Sequence, residues 1–411
     1  MPCGTAIVSE IEKYYEQNKF SNDVKVQQVV QKSEAVSRSH VGPYLQEGLF
    51  NVNIRSGNYY YQLHYEAGTG GPNIVVLSSV AAAVRDVHNF YVNNGFQVPR
   101  KPIGEEYYHI YLISGYAYPG VTHTQSSLIT TAASYIELKF DSGEQYDATT
   151  RNVTLMFKTV LAHEMFHAIS YTYRTGMEQW FTESFASWAG MRYVQNGEFG
   201  NGYVSRYLSD TSKSPDDMVE YVPYGFCVFP LTLDEYNGGI ATIRKIIEAT
   251  DSTSNEYTAI QNGIEDANQN YETAGEAFNY CSLYISSPIE FYSLANSIWG
   301  EASCSSRSDS GTYTVTGDHF TSSRYAYTRE SSSSKTLTLS IRKNACSRGC
   351  GLVRIKSDGT IEVVGPSTST SDLVTYNISN YGTTYKKVIL SLANVSTSAD
   401  NLNCTVTSSL N

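Results

Sequence analysis

The stretch that decides the fold is residues 161–190, LAHEMFHAISYTYRTGMEQWFTESFASWAG. It contains His163, Glu164 and His167 in the order H-E-x-x-H. Residues four apart lie on one face of an α-helix, so two imidazoles at this spacing can reach one metal ion. Glu164 lies one step round the same helix, where its carboxylate can take a proton from a metal-bound water. The pattern therefore predicts a metal site, provided that the segment is helical.

The flanking sequence predicts the required helix. Residues 154–171 contain no Gly or Pro, and their apolar residues recur at helical spacing. These apolar residues are Leu155, Val160, Phe166 and Ile169. An Arg-Thr-Gly break at residues 174–176 ends this helix, and a second helix is predicted over residues 178–195, before an Asn-Gly pair. The second helix can then run back alongside the first.

A zinc ion held by two histidines and a water lacks one protein ligand, and its identity separates the possible kinds of site. The pattern H-E-x-x-H-x-x-G-x-x-H needs a Gly and a third His, but Ser170 and Tyr173 occupy those two places. The alternative is a carboxylate from the second helix. Glu183, in the segment WFTESFASW, is the first candidate, and Glu178 is the second.

These two segments resemble the gluzincin zinc metallopeptidases, the clan that includes thermolysin-like enzymes. The closest likeness is to secreted members in which the catalytic helix is followed by W-x-x-E-[SG]-x-A-x-W. The matching residues here are Trp180, Glu183, Ser184, Ala186 and Trp188. A looser likeness extends over most of the chain and includes the Tyr-Gly-x-x-x-Phe segment that begins at Tyr224.

The resemblance implies a Zn²⁺ ion held by His163, His167 and Glu183, with Glu164 as general base. It also implies that Tyr224 donates a hydrogen bond to the oxyanion formed during peptide hydrolysis, with Tyr221 as the alternate. The expected activity is that of a zinc-dependent endopeptidase acting on protein or peptide substrates. A different class of protein is the alternative: a surface or assembly protein that keeps a metalloprotease fold without activity.

The resemblance also implies a place for the substrate and for a supporting residue. Strand residues 135–138 are expected at the sheet edge above the metal, where an extended peptide can add to the sheet through its backbone. His123 is a further candidate for lining the cleft. Ser187 stands where thermolysin-like sites have an Asp that orients a histidine, so either a hydroxyl or another residue does this, or metal affinity is weaker. The spacing from His167 to Glu183 is shorter than in those enzymes.

The predicted fold class is α+β, with a gluzincin-like domain followed by a C-terminal β-sandwich. The first domain is predicted over residues 1–302, with an α/β half to residue 175 and a helical half after it. A Ser-rich linker then leads to the β-sandwich at residues 312–411, where short strand patterns and turn signals alternate. Strands are predicted at 313–315, 325–328, 336–341, 352–356, 361–364, 388–392 and 404–407.

Elements outside the motif follow from periodicity. Strands are predicted at 49–54, 59–65, 107–114 and 134–140, and helices at 9–20, 75–94, 224–236, 242–250, 257–264 and 273–285. The polar segment before Gly42 has two interpretations, a prosegment or a wrapped N-terminal segment, and the second is preferred because nothing marks a cleavage point.

Composition excludes several partners. A net charge of -11 over 411 residues disfavours nucleic acid and anionic membranes. No run approaches the roughly 18 apolar residues of a membrane span. Four N-x-[ST] triplets mark candidate N-glycan sites and favour an extracellular location. They begin at Asn152, Asn377, Asn394 and Asn403.

The seven cysteines are an odd number. Cys227 lies in the apolar run GFCVFPL and is predicted to be a buried thiol. The first predicted disulfide joins Cys281 to Cys304, and the second joins Cys404 to Cys346 or Cys350.

Overall fold

A computed structural model describes residues 49–66, 74–124, 131–218, 222–267, 271, 273–286, 302–343, 348–365, 372–400 and 402–411. The chain divides into two compact units. The first comprises Met1–Phe199 with Ile247–Ala259, and the second comprises Gly200–Ile246 with Ile260–Asn411. The predicted helix 9–20, the N-terminal segment to Gly42, Tyr221 and Cys346 lie outside the described residues.

The first unit contains a mixed five-stranded sheet with the strand order β1-β2-β3-β5-β4. β1 and β2 form an antiparallel hairpin, β2, β3 and β5 are parallel neighbours, and β4 is antiparallel to β5. The strands are β1 Leu49–Ser56, β2 Tyr59–Glu66, β3 Tyr108–Ile113, β4 Gly120–Thr124 and β5 Ser134–Lys139. A two-stranded ribbon follows, β6 Tyr146–Asp147 with β7 Asn152–Val153.

The position of β5 corrects one prediction. The strand that contains residues 135–138 was expected at the sheet edge, but β5 pairs with β3 on one side and with β4 on the other. The edge strands in the described part of this sheet are β1 and β4. β4, next to β5, was not predicted. Its sequence, GVTHT, is short and begins with Gly, so it gives too little apolar alternation to be predicted as a strand.

Three helices complete the described core of the first unit: α1 Ile74–Asn93, α2 Leu155–Tyr173 and α3 Gln179–Val194. The Thr154 side chain caps α2 by accepting a hydrogen bond from the backbone N–H of Phe157. Gln195, in the left-handed conformation at φ 54°, ends α3. Most side chains of α2 and α3 are buried, and helices that are buried on nearly all sides belong to a core.

The two tryptophans of the matching segment hold α3 in place. Trp188 is buried and packs edge-on against Phe166 of α2, with ring centroids 6.0 Å apart. Trp180 is also buried and stacks on Tyr257 with centroids 5.1 Å apart. Buried aromatic pairs of this kind stabilise by about 0.5–1.5 kcal/mol beyond the area that they bury.

The second unit begins with helices α4 Asn201–Ser209, α5 Val222–Gly225 and α6 Val228–Tyr236, and it also holds α9 Ala274–Tyr284. Helices α7 Ile240–Ala249 and α8 Glu256–Ala267 each contain residues of both units. The predicted helix 224–236 is therefore two shorter helices. Pro230 is the third residue of α6, where its missing N–H would have had no partner within the helix.

Nine strands follow in the described part of the C-terminal region, and two groups of them share one apolar core. One group has the order β13-β12-β15-β10-β8 and the other β14-β11-β16-β9, and a single residue pair joins β14 to β15. The strands are β8 Ser305–Ser306, β9 Gly311–Gly317, β10 Thr321–Thr328, β11 Lys335–Arg342, β12 Arg348–Lys356, β13 Ile361–Val364, β14 Leu373–Tyr381, β15 Tyr385–Asn394 and β16 Leu402–Leu410. All seven predicted strands fall within these elements, whereas β8 and β14 were not predicted.

Residues 200–246 and residues from 260 onward belong to the same compact unit as the C-terminal strands. The predicted domain boundary near residue 302 stays a prediction. Phe278 of α9 stacks on Phe320, between β9 and β10, with ring centroids 4.4 Å apart. Phe229 of α6 packs against the same ring at 5.8 Å. The helices thus share an aromatic contact with the strand region, which a composition change near residue 302 could not reveal.

Two of the predicted disulfides are wrong. Among the described residues, no bond joins Cys281 to Cys304 or Cys404 to Cys350. The other predicted partner of Cys404, Cys346, lies outside the described residues, so that pairing stays a prediction. Cys227 is a buried thiol, as predicted, and burial raises its pKa. The number and spacing of cysteines cannot predict pairing, because bonding depends on how close the two Cβ atoms lie in the fold.

One of the four candidate glycan sites is inaccessible. Asn394 is fully buried, and its amide nitrogen donates hydrogen bonds to the backbone oxygens of Gly317 and Ala399. Asn152, Asn377 and Asn403 are exposed. Within the described residues, no helix combines the length and the apolar character that crossing a bilayer requires.

Candidate metal centre

The H-E-x-x-H residues lie in the middle of α2 and are buried. His163 and His167 are each 1% exposed, and Glu164 is fully buried. The two histidines point to the same side of the helix, with their Nε2 atoms 3.1 Å apart. This placement agrees with the helical spacing in the sequence, and the role of the pair as metal ligands stays a prediction.

Glu183 of α3 completes a triangle of donor atoms with the two imidazoles. Its Oε2 lies 3.2 Å from Nε2 of His163 and 3.5 Å from Nε2 of His167. Glu183 is fully buried. Among the described residues, these three form the one group of His, Cys, Asp or Glu side chains placed to hold a metal ion.

The dimensions of this triangle fit zinc. Tetrahedral zinc with bonds of about 2.0–2.2 Å places neighbouring donor atoms about 3.3 Å apart. The three observed separations, 3.1, 3.2 and 3.5 Å, bracket that value. Neither oxygen of Glu183 accepts a hydrogen bond of good geometry from the described residues, although both oxygens are buried. A carboxylate in this position needs a cation, and two imidazoles with one carboxylate form a common zinc ligand set.

The structure places Glu183, and not Glu178, beside the two histidines. Glu178 is exposed at the residue before α3, where its backbone N–H donates to Oε1 of Glu256 at 2.7 Å. Glu183 lies on the side of α3 that faces α2, and Gly190 allows the two helices to approach there. A Cβ on Gly190 would lie 2.9 Å from the backbone oxygen of Thr159 and 3.5 Å from Cβ of His163.

The charges of the three side chains support one another. Burial raises the pKa of the Glu183 carboxyl, but the neighbouring imidazoles outweigh this effect and lower that pKa to about 2. Burial lowers the pKa of His167, but the carboxylates of Glu183 and Glu164 more than offset it, so the pKa is raised. The ionised carboxylate thus draws positive charge to the point between the donor atoms, and a metal ion can replace the proton there.

Strand β4 positions Glu164, and the sequence did not predict this. The Thr122 hydroxyl lies 2.8 Å from both the backbone oxygen and Oε2 of Glu164, and it can donate to either. Gly120 leaves space for the same side chain, because a Cβ there would lie 2.7 Å from Cγ and 2.8 Å from Oε1 of Glu164. The one available signal was a Gly followed by β-branched residues, which by itself predicts no contact.

His123 does not join the metal ligands. It is 1% exposed, and its Nε2 lies 3.0 Å from Oε2 of Glu137, which also accepts a hydrogen bond of 2.5 Å from the Tyr116 hydroxyl. The ring of His123 stacks on Tyr135 with centroids 4.7 Å apart. Burial and the charges of Glu137 and Glu164 raise the pKa of Tyr116, so its phenol stays protonated and can act as a donor.

Ser187 lies one helical turn beyond Glu183 and is fully buried. Its hydroxyl forms no hydrogen bond with any described residue. The expectation that a hydroxyl at this position orients a histidine is therefore not met by Ser187.

Tyr224 belongs to the second unit, in α5. It is 1% exposed, and its ring lies 5.0 Å from that of Tyr203. Its role as an oxyanion donor stays a prediction.

No family model and no curated protein matches this chain. Among solved structures, the chain is similar to an aminopeptidase N family protein from Idiomarina loihiensis, with 11% sequence identity and a TM-score of 0.29, covering 52% of this chain and 42% of that chain. It is also similar to the pre-peptidase C-terminal domain of collagenase from Bacillus anthracis, with 14% identity and a TM-score of 0.19, covering 26% of this chain and 95% of that one. At these TM-scores neither likeness establishes a shared fold.

Proposed function

We propose that the protein is a zinc-dependent peptidase of the gluzincin type. One observation carries this proposal: Nε2 of His163, Nε2 of His167 and Oε2 of Glu183 converge at separations of 3.1–3.5 Å in a buried site. Zinc bound there would supply Lewis-acid chemistry, polarising a water and the scissile carbonyl.

Glu164 is the general base of this proposal. It is adjacent to His163 on α2, and it is held against β4 by Thr122 and by the space that Gly120 leaves. From this position its carboxylate accepts the proton of the attacking water and delivers it to the leaving amine. A rigid contact with a strand suits this role, because a displacement of about 1 Å can cost about 10²-fold in rate.

The edge of the sheet that carries β4 is the proposed site of an extended peptide substrate. β4 is one of the two edge strands in the described part of the sheet, and its residues Gly120 and Thr122 lie against the proposed general base. A peptide that adds to this edge through its backbone would therefore pass close to Glu164. This assignment replaces the one made from the sequence, which placed the substrate along residues 135–138.

Two tyrosines are candidates for the donor to the oxyanion. Tyr224 is proposed from the sequence resemblance. Tyr116 is a second candidate, because its protonated phenol is held by Glu137 and feels the charge of Glu164. Replacing each by Phe separates them, since loss of an oxyanion donor costs about 10²–10³ in kcat.

The C-terminal strand region is proposed to be a β-sandwich without catalytic function, and the protein to be extracellular. Exposed sequons at Asn152, Asn377 and Asn403 support this location, and neither nucleic acid nor a membrane is a proposed partner.

The deciding experiment combines metal content with cleavage of an unspecific protein substrate such as casein. The wild type should contain about one zinc per chain and cleave, and Glu164→Gln should retain zinc while its kcat/KM falls by about 10²–10⁴. Glu178→Gln is the matched control, because this exposed acid near the start of α3 should leave both unchanged.

The peptidase proposal would be contradicted if the wild type binds zinc but does not cleave the substrate, or cleaves it no faster than Glu164→Gln. That result would favour the alternative, an inactive surface or assembly protein with a metalloprotease fold. Absence of zinc from both proteins would contradict the metal centre itself.

A further inference from the structure

The second unit buries an arginine without a carboxylate partner. Arg324, on β10, is 3% exposed. Its Nη1 donates to Oγ of Ser322 at 3.0 Å, and its Nη2 donates to Oγ1 of Thr211. Its Nε–H has no acceptor among the described residues, and none of their carboxylates lies within ion-pair distance of the guanidinium.

This environment is costly for a charge. A buried charge is normally paired, because neutral dipoles replace only part of its hydration. Burial lowers the pKa of Arg324, but a guanidinium stays protonated in proteins. The positive charge therefore persists, and two hydroxyl groups are the hydrogen-bond acceptors that the described residues offer it.

Two other arginines of the same unit show the usual arrangement. Arg354 is paired with Glu362 at 2.8 Å, and Arg329 is paired with Asp309 at 3.3 Å. Both are less deeply buried than Arg324. The most buried of these three guanidinium groups thus lacks the counter-charge that the other two have.

Arg324 lines a cavity of about 240 Å³ whose walls are rich in hydroxyl groups. The deep side is buried and the rim is exposed, so a solute can enter. The lining residues are Ser209, Asp210, Thr211, Ser212, Ser303, Cys304, Ser305, Ser322, Ser323, Arg324 and Tyr325. The volume is below the roughly 300–1,000 Å³ of pockets for drug-sized ligands, which favours a small solute.

We propose that this cavity is a binding site for a small oxyanion, with Arg324 as its charged anchor. A guanidinium matches the oxygen spacing of sulfate, phosphate and carboxylate, and Arg324 is the cationic residue in the lining of this cavity. The hydroxyl groups of the rim supply further donors. The site lies within the second unit and is independent of the proposed metal centre.

Asp210 is the acidic residue in the cavity lining. Its carboxylate is the main alternative to a bound anion as the counter-charge of Arg324. Its carboxylate is exposed and accepts hydrogen bonds from the backbone N–H and the hydroxyl of Ser212, at 3.1 and 2.5 Å. Asp210→Asn removes from the rim a negative charge that would repel a bound anion, so the proposal predicts tighter binding of an anion in this variant.

The test uses the full chain and measures binding of sodium sulfate by calorimetry, at constant ionic strength against sodium chloride. Arg324→Gln should abolish saturable binding. Ser305→Asp places a negative charge at the rim and should raise Kd at least about tenfold. Ser306→Asp is the matched control, because Ser306 is the exposed neighbour on β8 and does not line the cavity. It should leave Kd unchanged.

A thermal-stability series supplies a second measurement. Sulfate stabilises many proteins non-specifically, because it is excluded from their surface. Specific binding is therefore an increase in Tm that saturates with sulfate concentration. This increase should be absent in Ser305→Asp and present in Ser306→Asp. Parallel titrations with phosphate and acetate show whether the site prefers tetrahedral oxyanions or carboxylates. Equal increases in Tm with sulfate in the wild type, Ser305→Asp and Ser306→Asp would overturn the proposal. The proposal would also be overturned if Asp210→Asn lowers the Tm and the Tm of this variant does not change with added anions.

Discussion

The two units bury charge in opposite ways. The first unit brings the electron-pair donors of His163, His167 and Glu183 within 3.5 Å of one another. The second unit surrounds Arg324, a single cation, with the hydroxyl groups of Thr211 and Ser322. One arrangement gathers acceptors around a point that a cation can fill, and the other presents donors to a cavity that an anion can fill.

The chemical type of the nearest neighbours indicates whether a buried polar site needs a cation or an anion as its partner. Buried polar groups are normally satisfied, because desolvation without a partner costs about 1–3 kcal/mol for neutral groups and more for charges. Burial alone would not distinguish the two sites, since Glu183 and Arg324 are both almost fully buried. The composition of the surroundings does distinguish them.

The largest expected effect is on metal binding. Glu183→Gln should lower zinc affinity by more than the roughly 10–100-fold that loss of a residue supporting a ligand costs, because it removes a ligand itself. The measurement is zinc affinity in a competition titration with a chelator. Glu178→Gln serves as control and should bind zinc like the wild type. Equal affinity of the wild type and Glu183→Gln would show that the three side chains are not a metal site.

The next effect is on catalysis. Gly120→Ala places a Cβ 2.7 Å from Cγ of Glu164 and 2.8 Å from Cγ1 of Val160, so the general base must move. We expect kcat/KM for a peptide substrate to fall by about 10²-fold while zinc content is retained. In Gly202→Ala, the control, the added methyl group meets nothing within 4 Å, and activity should stay at the wild-type level. Full activity in Gly120→Ala would mean that Glu164 is not the base.

A third effect distinguishes the candidate metal centre from the Arg324 cavity by the pH dependence of stability. In metal-free protein, the lowered pKa of Glu183 stabilises the fold above about pH 4.3, and this contribution is lost as the pH falls toward about 2. The raised pKa of His167 stabilises fully below about pH 6.5, and this contribution is lost as the pH rises through the folded-state pKa. The cluster should therefore stabilise most between about pH 4.3 and 6.5, by roughly 1–3 kcal/mol.

The check is urea unfolding of chelator-treated protein from pH 3 to pH 9, with wild type compared to Glu183→Gln. The difference in unfolding free energy between them should peak within that window. Arg324 does not titrate in this range, so Arg324→Gln should change stability by a constant amount at every pH. A constant difference for Glu183→Gln as well would contradict the charge coupling of the first site.

The smallest effect concerns Ser187. Its hydroxyl forms no hydrogen bond with the described residues, so Ser187→Ala should change zinc affinity by less than about threefold, well under the effect typical of a supporting residue. The same competition titration measures this. A tenfold or larger loss would show that Ser187 orients a ligand when the metal is bound.

Much of the metal centre was predictable because it depends on spacing within one helix. The distance between His163 and His167 follows from helical geometry once the segment is known to be helical. The choice of Glu183 over Glu178 also agreed with the sequence pattern. The contacts of Glu164 were not predictable, because Gly120 and Thr122 lie on a strand more than 40 residues earlier, as the separation of Thr122 and Glu164 shows.

The sequence by itself determined the H-E-x-x-H helix, the helix that follows it, most of the strands and the buried thiol of Cys227. These features depend on local periodicity and on the apolar character of short segments. Only the tertiary structure decided that β4 lies at an edge of the sheet, that no bond joins Cys281 to Cys304, and that Arg324 is buried without a counter-charge from the described residues. Each of these depends on which residues, distant in the chain, become neighbours, and a local pattern carries no information about that.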